Sequence, residues 1–221
     1  MSEALLKKAV QAINQHGILL TFPIKNKIQP QSLWSALYPK SEMKWEWNED
    51  SDARVAQLWH IREQLSRSGL VIYSKWYQGR ATFFSLEAFG HLLAVQKVFE
   101  KRAQLKSRES KEIMDALEMD SPLSTRQIKE VAELKGKHFE AAYHRVMKEL
   151  WWSGLIVGFG EIEDTSFPSL AIGATSALFE DVWSQAKNLK VVESKLWLEK
   201  KLTKENLFYK ALEKRLKEQR L

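Results

Sequence analysis

Apolar residues in this chain recur first at helical spacing and then in short continuous runs. Leu5, Leu6, Val10 and Ile13 predict a helix over residues 2–15 that Gly17 can end. Gly-Ile-Leu-Leu-Thr-Phe-Pro (17–23) predicts a short buried strand, followed by a loop over 24–31 and two turns of helix over 32–38. A polar loop over 41–50 leads into a long helix over about 51–68. Strands are expected over 70–76 and 81–85, joined by a turn at Tyr77-Gln-Gly-Arg80. The stretch Glu63-Gln-Leu-Ser-Arg-Ser-Gly-Leu-Val-Ile then has an echo in Glu149-Leu-Trp-Trp-Ser-Gly-Leu-Ile-Val-Gly, 85 residues later. In both, a helix stops on Ser-Gly, where Gly supplies a left-handed residue, and a β-branched run begins at once.

The second half is similar. A helix over about 86–103 capped by Ser85, a basic hinge at Lys106-Ser-Arg108 and a helix to about Leu117 come first. Ser124 and Gln127 form a capping box opening a helix to Leu134. A turn at Lys135-Gly-Lys137, a helix over 138–153 and strands over 155–159 and 167–172 complete it. The order of the first half, helix, strand, helix, helix, strand, strand, is that of a winged helix, a helix-turn-helix with a two-stranded wing. The expected fold class is therefore mainly α with short antiparallel β, an α+β chain of tandem winged-helix domains. The units span 1–85 and 86–173, and 174–221 forms a C-terminal helical extension with helices over 174–186 and 193–216.

On the second long helix, Phe139, Ala142, Tyr143, Val146 and Leu150 share one face and are expected in the core. The opposite stripe carries Ala141, His144, Arg145, Lys148 and Trp152, the face a winged helix turns to the major groove. Its cations and hydrogen-bonding groups suit phosphates and base edges. The same offset on the first long helix gives Trp59, His60, Glu63 and Arg67, which is poorer in positive charge. The first wing compensates with Lys75, Trp76, Tyr77 and Arg80, cations beside aromatics that suit a backbone or a stacked base. The second wing is acidic, with Glu161, Glu163 and Asp164, and reads as a solvated tip that repels phosphate. The nucleic-acid-binding candidates are thus Lys75, Trp76, Arg80, His144, Arg145, Lys148 and Trp152.

The segments Leu-Ser-Thr-Arg-Gln-Ile-Lys (123–129), Lys-His-Phe-Glu-Ala-Ala-Tyr-His-Arg-Val-Met-Lys-Glu-Leu (137–150) and Gly-Leu-Ile-Val-Gly (154–158) resemble the winged-helix pattern of the AlkZ-type DNA glycosylases and their relatives. Phe-Pro-Ile (22–24), Ser-Leu-Trp-Ser-Ala-Leu-Tyr (32–38) and Leu-Trp-His-Ile-Arg-Glu-Gln-Leu (58–65) extend the resemblance over roughly residues 17–185. It implies binding of damaged duplex DNA by tandem winged helices and, in the enzymes, cleavage of the bond between an alkylated base and its sugar. It also implies a Gln-apolar-Gln triplet that positions the attacking water. Gln29-Pro30-Gln31 is the matching triplet here, with Pro in the apolar place.

Net charge of +6 and a pI near 9.3 favour a polyanionic partner. The sequence has no Cys, which removes disulfides and thiolate chemistry and suits a reducing cytoplasm. The N-terminus does not read as a signal peptide, and no apolar run approaches the roughly 20 residues of a membrane span. The His residues lack metal-site spacing: His138 and His144 lie six apart, and His16, His60 and His91 stand singly. No Gly-rich phosphate loop is present, and no cofactor is expected. DNA is the expected partner and DNA binding, in a repair context, the leading function. A winged-helix module for protein partners and a glycosylase acting through Gln29 and Gln31 are the alternatives.

Overall fold

The repeated order of elements is realised around a single antiparallel sheet. The computed structural model describes residues 3–45, 52–163 and 168–218. In the first half, α1 (Glu3–His16), β1 (Ile18–Leu20), α2 (Leu33–Leu37) and α3 (Ala53–Arg67) precede β2 (Val71–Tyr77) and β3 (Arg80–Ser85). Then α4 (Leu86–Val95) and α5 (Val98–Ala103) lead to α6 (Arg108–Met119), β4 (Leu123–Ser124), α7 (Thr125–Val131) and α8 (Glu140–Ser153). The strands β5 (Ile156–Ile162) and β6 (Ser169–Ala174) follow, and α9 (Thr175–Leu178), α10 (Glu180–Asn188), α11 (Val191–Leu202) and α12 (Leu207–Glu218) close the chain. The chain is thus α+β and mostly helical.

Local chemistry explains the boundaries. Ser32, Asp52, Ser85, Ser107 and Ser124 each accept a main-chain N–H at a helix start. At Ser124 the capping box with Gln127 is complete in both directions. Both Ser-Gly-Leu junctions also form as expected. Gly69 and Gly154 take φ of +70° and +76°, and a two-stranded antiparallel hairpin follows each. Gly154 has a second constraint, since a Cβ there would lie 2.7 Å from Leu93 Cδ2.

Strand order is β1-β3-β2-β5-β6-β4, so the two halves meet at the pairing of Tyr73 with Gly158. β1 flanks β3 and β4 flanks β6 in the same way, and each central hairpin carries a bulge, between Ser74 and Tyr77 and between Gly158 and Glu161. Along β2, alternate residues enter two cores. Val71 and Tyr73 join Leu58, Ile61 and Leu65 of α3, whereas Ile72 joins Phe89, Leu92 and Leu93 of α4 in the larger core. Each long helix also reaches across the junction: α3 packs on β5, and α8 packs on β2.

Several expectations need correction. The helix expected over 86–103 is two, because Lys97 adopts a left-handed conformation (φ +52°) and the Gln96 side chain turns to donate to the Trp152 carbonyl oxygen at 2.8 Å. The helix expected over 193–216 breaks at Thr203 (φ +67°), after which Asn206 Oδ1 accepts from the Phe208 N–H. The helix over 174–186 divides at Phe179, whose φ of −133° and ψ of 55° are not helical. Helix α7 stops at Val131, short of Leu134, with Glu133 at φ +54°. The two-residue β4 carries no periodic signal, and Phe167 lies outside the described residues.

Candidate nucleic-acid interface

Helix α8 is held by its buried side. Tyr143, Val146, Met147, Leu150 and Trp151 are buried, so Met147 and Trp151 join the core. Ala142 is half-buried, and Phe139 is 47% exposed because it falls in the 3-10 turn Lys137–Phe139 before the helix. The opposite side presents Ala141, His144, Arg145 and Lys148 to solvent. His144 Nε2 lies 3.6 Å from Glu140, whose carboxyl is held below its ordinary pKa chiefly by a hydrogen bond from Lys129. Arg145 and Lys148 have no acidic partner among the described residues. Lys137, in the turn leading into α8, is also exposed and unpaired among them; sequence periodicity missed it because it precedes the helix.

Trp152 does not belong to that exposed stripe. It is half-buried, its ring stacks on Trp76 with centroids 4.4 Å apart, and the Arg215 guanidinium lies 5.6 Å from its ring centre. Trp76 is 2% exposed and also meets Phe84 edge-on. Neither ring is placed to stack on a base, because Trp76 lies in the core on the same face of β2 as Ile72 and α12 covers Trp152. Tyr77 is buried as well, with its ring 5.0 Å from Phe208 of α12.

Of the remaining wing candidates, Arg80 is exposed at the hairpin end. Lys75 is half-buried, and its pKa is lowered by burial and then by the nearby Arg62. The Trp76–Trp152 stack nevertheless brings the two candidate segments together. The first hairpin and the C-terminal end of α8 come from different halves and meet there.

The second hairpin differs from the solvated acidic tip expected of it. Glu161 forms an ion pair with Arg62 of α3, and the Arg67 guanidinium donates to the Glu161 carbonyl oxygen at 2.9 Å. The Gly160 N–H donates to Ser66 Oγ at 3.0 Å, so this strand is fastened to α3. Glu161 therefore presents no free negative charge. Glu163 is exposed, and Asp164 lies outside the described residues. On α3 itself, Trp59 is 45% exposed, with Arg62 4.2 Å over its ring and Trp45 beside it.

The Gln29-Pro30-Gln31 triplet sits between β1 and α2. Gln29 is exposed, Pro30 buried and Gln31 half-buried. The Gln31 carbonyl oxygen accepts from the Leu20 N–H at 3.0 Å, which ties the triplet's backbone to β1. Neither side-chain amide has a hydrogen-bond partner among the described residues. No cluster of three metal-ligating side chains occurs among the described residues.

Residues 5–218 match the family described as AlkZ related. The chain belongs to that family. No curated protein and no solved structure matches it. Membership in the AlkZ-related family suggests a DNA-repair-related protein. No helix among the described residues is long and apolar enough to cross a membrane.

Proposed function

We propose that this AlkZ-related protein binds duplex DNA as a tandem winged helix, with units over 1–85 and 86–173 and α8 as the major-groove reader. The observation that carries this reading is the exposed pair Arg145 and Lys148, unpaired among the described residues, on the solvent side of a helix whose other side is anchored in the core. The element order supports it, since helix, strand, helix, helix, strand, strand occurs twice with the same strand pairing. His144 adds a hydrogen-bonding group for a base edge or a phosphate. Arg80 and Lys75 extend the positive surface from the first hairpin, which the Trp76–Trp152 stack seats beside the end of α8. Trp76 and Trp152 act here as the joint rather than as contacts. The units are joined through a shared sheet, so bound DNA meets a fixed arrangement of the two halves.

The test is duplex binding measured at several salt concentrations. Phosphate contacts release counterions, and each lost contact flattens the slope of log affinity against log salt by about one. Replacing Arg145 and Lys148 together by Ala is expected to weaken binding and reduce that slope by about two. An unchanged slope moves the interface off α8. Absence of binding at low salt removes the DNA reading and favours a protein partner for the same surface.

A further inference from the structure

A cavity of about 710 Å³ opens between the α4–α5 turn, the C-terminal end of α8, and α12. Its polar wall is unusual. Lys101 is half-buried, and its ammonium donates to the Gln96 side-chain oxygen at 3.0 Å, a neutral partner. Gln96 in turn donates to the Trp152 carbonyl oxygen. Arg215 lies near enough to repel Lys101, and its Nε is buried without a hydrogen-bond partner among the described residues. Trp152 Nε1 is a second buried donor in the same position. Acids around the cavity are engaged elsewhere: Glu100 pairs with Lys97 at 3.2 Å, and Glu213 with Lys195 at 2.8 Å. Glu149 is exposed and attracts Lys101 less than Arg215 repels it. Arg215 reaches Glu218 only at 3.5 Å.

Burying an ammonium beside a guanidinium, with a neutral amide as its hydrogen-bond partner, is unfavourable unless an anion relieves it. The cavity is large enough for more than a bare anion, and Val95, Leu105, Leu155 and Leu216 give it an apolar wall. We infer that this cavity binds a phosphate ester of nucleotide size, with Lys101 and Arg215 holding the phosphate and the apolar wall receiving the remainder. Arg215 can chelate phosphate oxygens through its fork, and Lys101 supplies a compact charge. The burial that pushes Lys101 down to about pKa 8 expresses the same unmet charge. The inference stands independently of the duplex reading, because it concerns a different surface, behind the end of α8.

The full chain is titrated by calorimetry with deoxyadenosine monophosphate, deoxyadenosine and inorganic phosphate. The nucleotide is expected to bind and the nucleoside to bind at least about tenfold more weakly, as loss of charged hydrogen bonds implies. Lys101→Met is expected to weaken the nucleotide about tenfold or more, whereas Lys101→Arg preserves binding and Lys8→Met, a change on the distant α1, has no effect. A single strand with a 5′ phosphate, compared with its 5′-hydroxyl form, separates the two sources. Preference for the phosphorylated strand assigns a DNA end, and binding of the free nucleotide alone assigns a small molecule. If Lys101→Met fails to fold, Arg215→Gln gives the same readout. Absence of binding by the nucleotide, inorganic phosphate and phosphorylated strand alike overturns the inference. So does equal nucleotide affinity in Lys101→Met and Lys8→Met.

Discussion

Trp152 at the last turn of α8 stacks on Trp76 of β2, with ring centroids 4.4 Å apart and planes 17° from parallel. The two residues belong to different halves of the chain, so this contact fixes how the halves meet. Offset or parallel aromatic pairs contribute about 0.5–1.5 kcal/mol beyond the area they bury. Removing an indole from such a place also leaves a cavity. Trp152→Ala is therefore expected to lose about 3–5 kcal/mol in urea unfolding. Trp152→Phe is expected to lose less. A loss below about 1 kcal/mol for Trp152→Ala would show that the stack lies outside the cooperative core.

The pairing of Tyr73 with Gly158 is the other joint, and it is steric. A Cβ on Gly158 would lie 2.3 Å from Tyr73 Cδ1, and the Tyr73 ring is buried. Gly158→Ala must displace the ring or separate β2 from β5. It is expected to destabilise by about 1–3 kcal/mol, the usual range for overpacking. Gly69 offers a matched control: a Cβ there meets nothing within 4 Å, and only its positive φ resists substitution. Gly69→Ala is expected to cost about 1–2 kcal/mol through the left-handed backbone alone. Combining each with Tyr73→Phe leaves both losses unchanged, whereas Tyr73→Ala is expected to relieve Gly158→Ala and not Gly69→Ala. Denaturant midpoints of the set decide this, and equal coupling at both glycines contradicts the steric account.

The two helix-to-strand junctions were legible in the sequence because the Ser-Gly-Leu device is local. Gly69 and Gly154 end their helices for the same reason in both places. The exposed His144, Arg145 and Lys148 were legible too, because helical periodicity separates them from Val146 and Leu150. The same periodicity misplaced Trp152, since α12 returns from far along the chain to cover it through Arg215. Trp76 shares the buried face of Ile72 along β2 and was misread because the ring that covers it, Trp152 of α8, comes from the other half of the chain. The Arg62–Glu161 pair joins residues 99 apart, and no local pattern encodes it. Contacts between the halves were therefore what the sequence concealed.

Lys101 gives the stability of the fold a pH dependence whose sign is fixed. Burial and then Arg215 lower its pKa from 10.5 to about 8, with Glu149 opposing. Below about pH 8 the folded and unfolded chains both hold the proton, and the folded one bears a penalty on the order of 3 kcal/mol. Between about pH 8 and 10.5 the unfolded chain alone keeps it, so this residue's contribution to stability rises with pH. The Lys101→Met variant lacks the group, and other titrations cancel in the comparison. The unfolding free energy of the unmodified protein minus that of the variant is expected to increase from pH 7 to pH 10. A flat or falling difference would place the Lys101 ammonium in a solvated setting.

The last prediction concerns catalysis at Gln29-Pro30-Gln31. The triplet keeps the polar-apolar-polar order of the family's pattern, since Pro30 is buried between an exposed Gln29 and a half-buried Gln31. Two neutral amides can orient a water, but they cannot take its proton. Pro30 also removes a main-chain donor from the loop and fixes its φ. A glycosylase must in addition receive a nucleotide withdrawn from the stack, and base-stacking surfaces serve that purpose. Trp76, the ring that promised such a surface with Tyr77, is committed to Trp152. The purified protein is therefore expected to bind duplex DNA without releasing alkylated bases from it. The assay is release of methylated purines from alkylated duplex under single-turnover conditions. Release that disappears in both Gln29→Ala and Gln31→Ala, with duplex affinity retained, would reverse this expectation and assign the triplet a catalytic role.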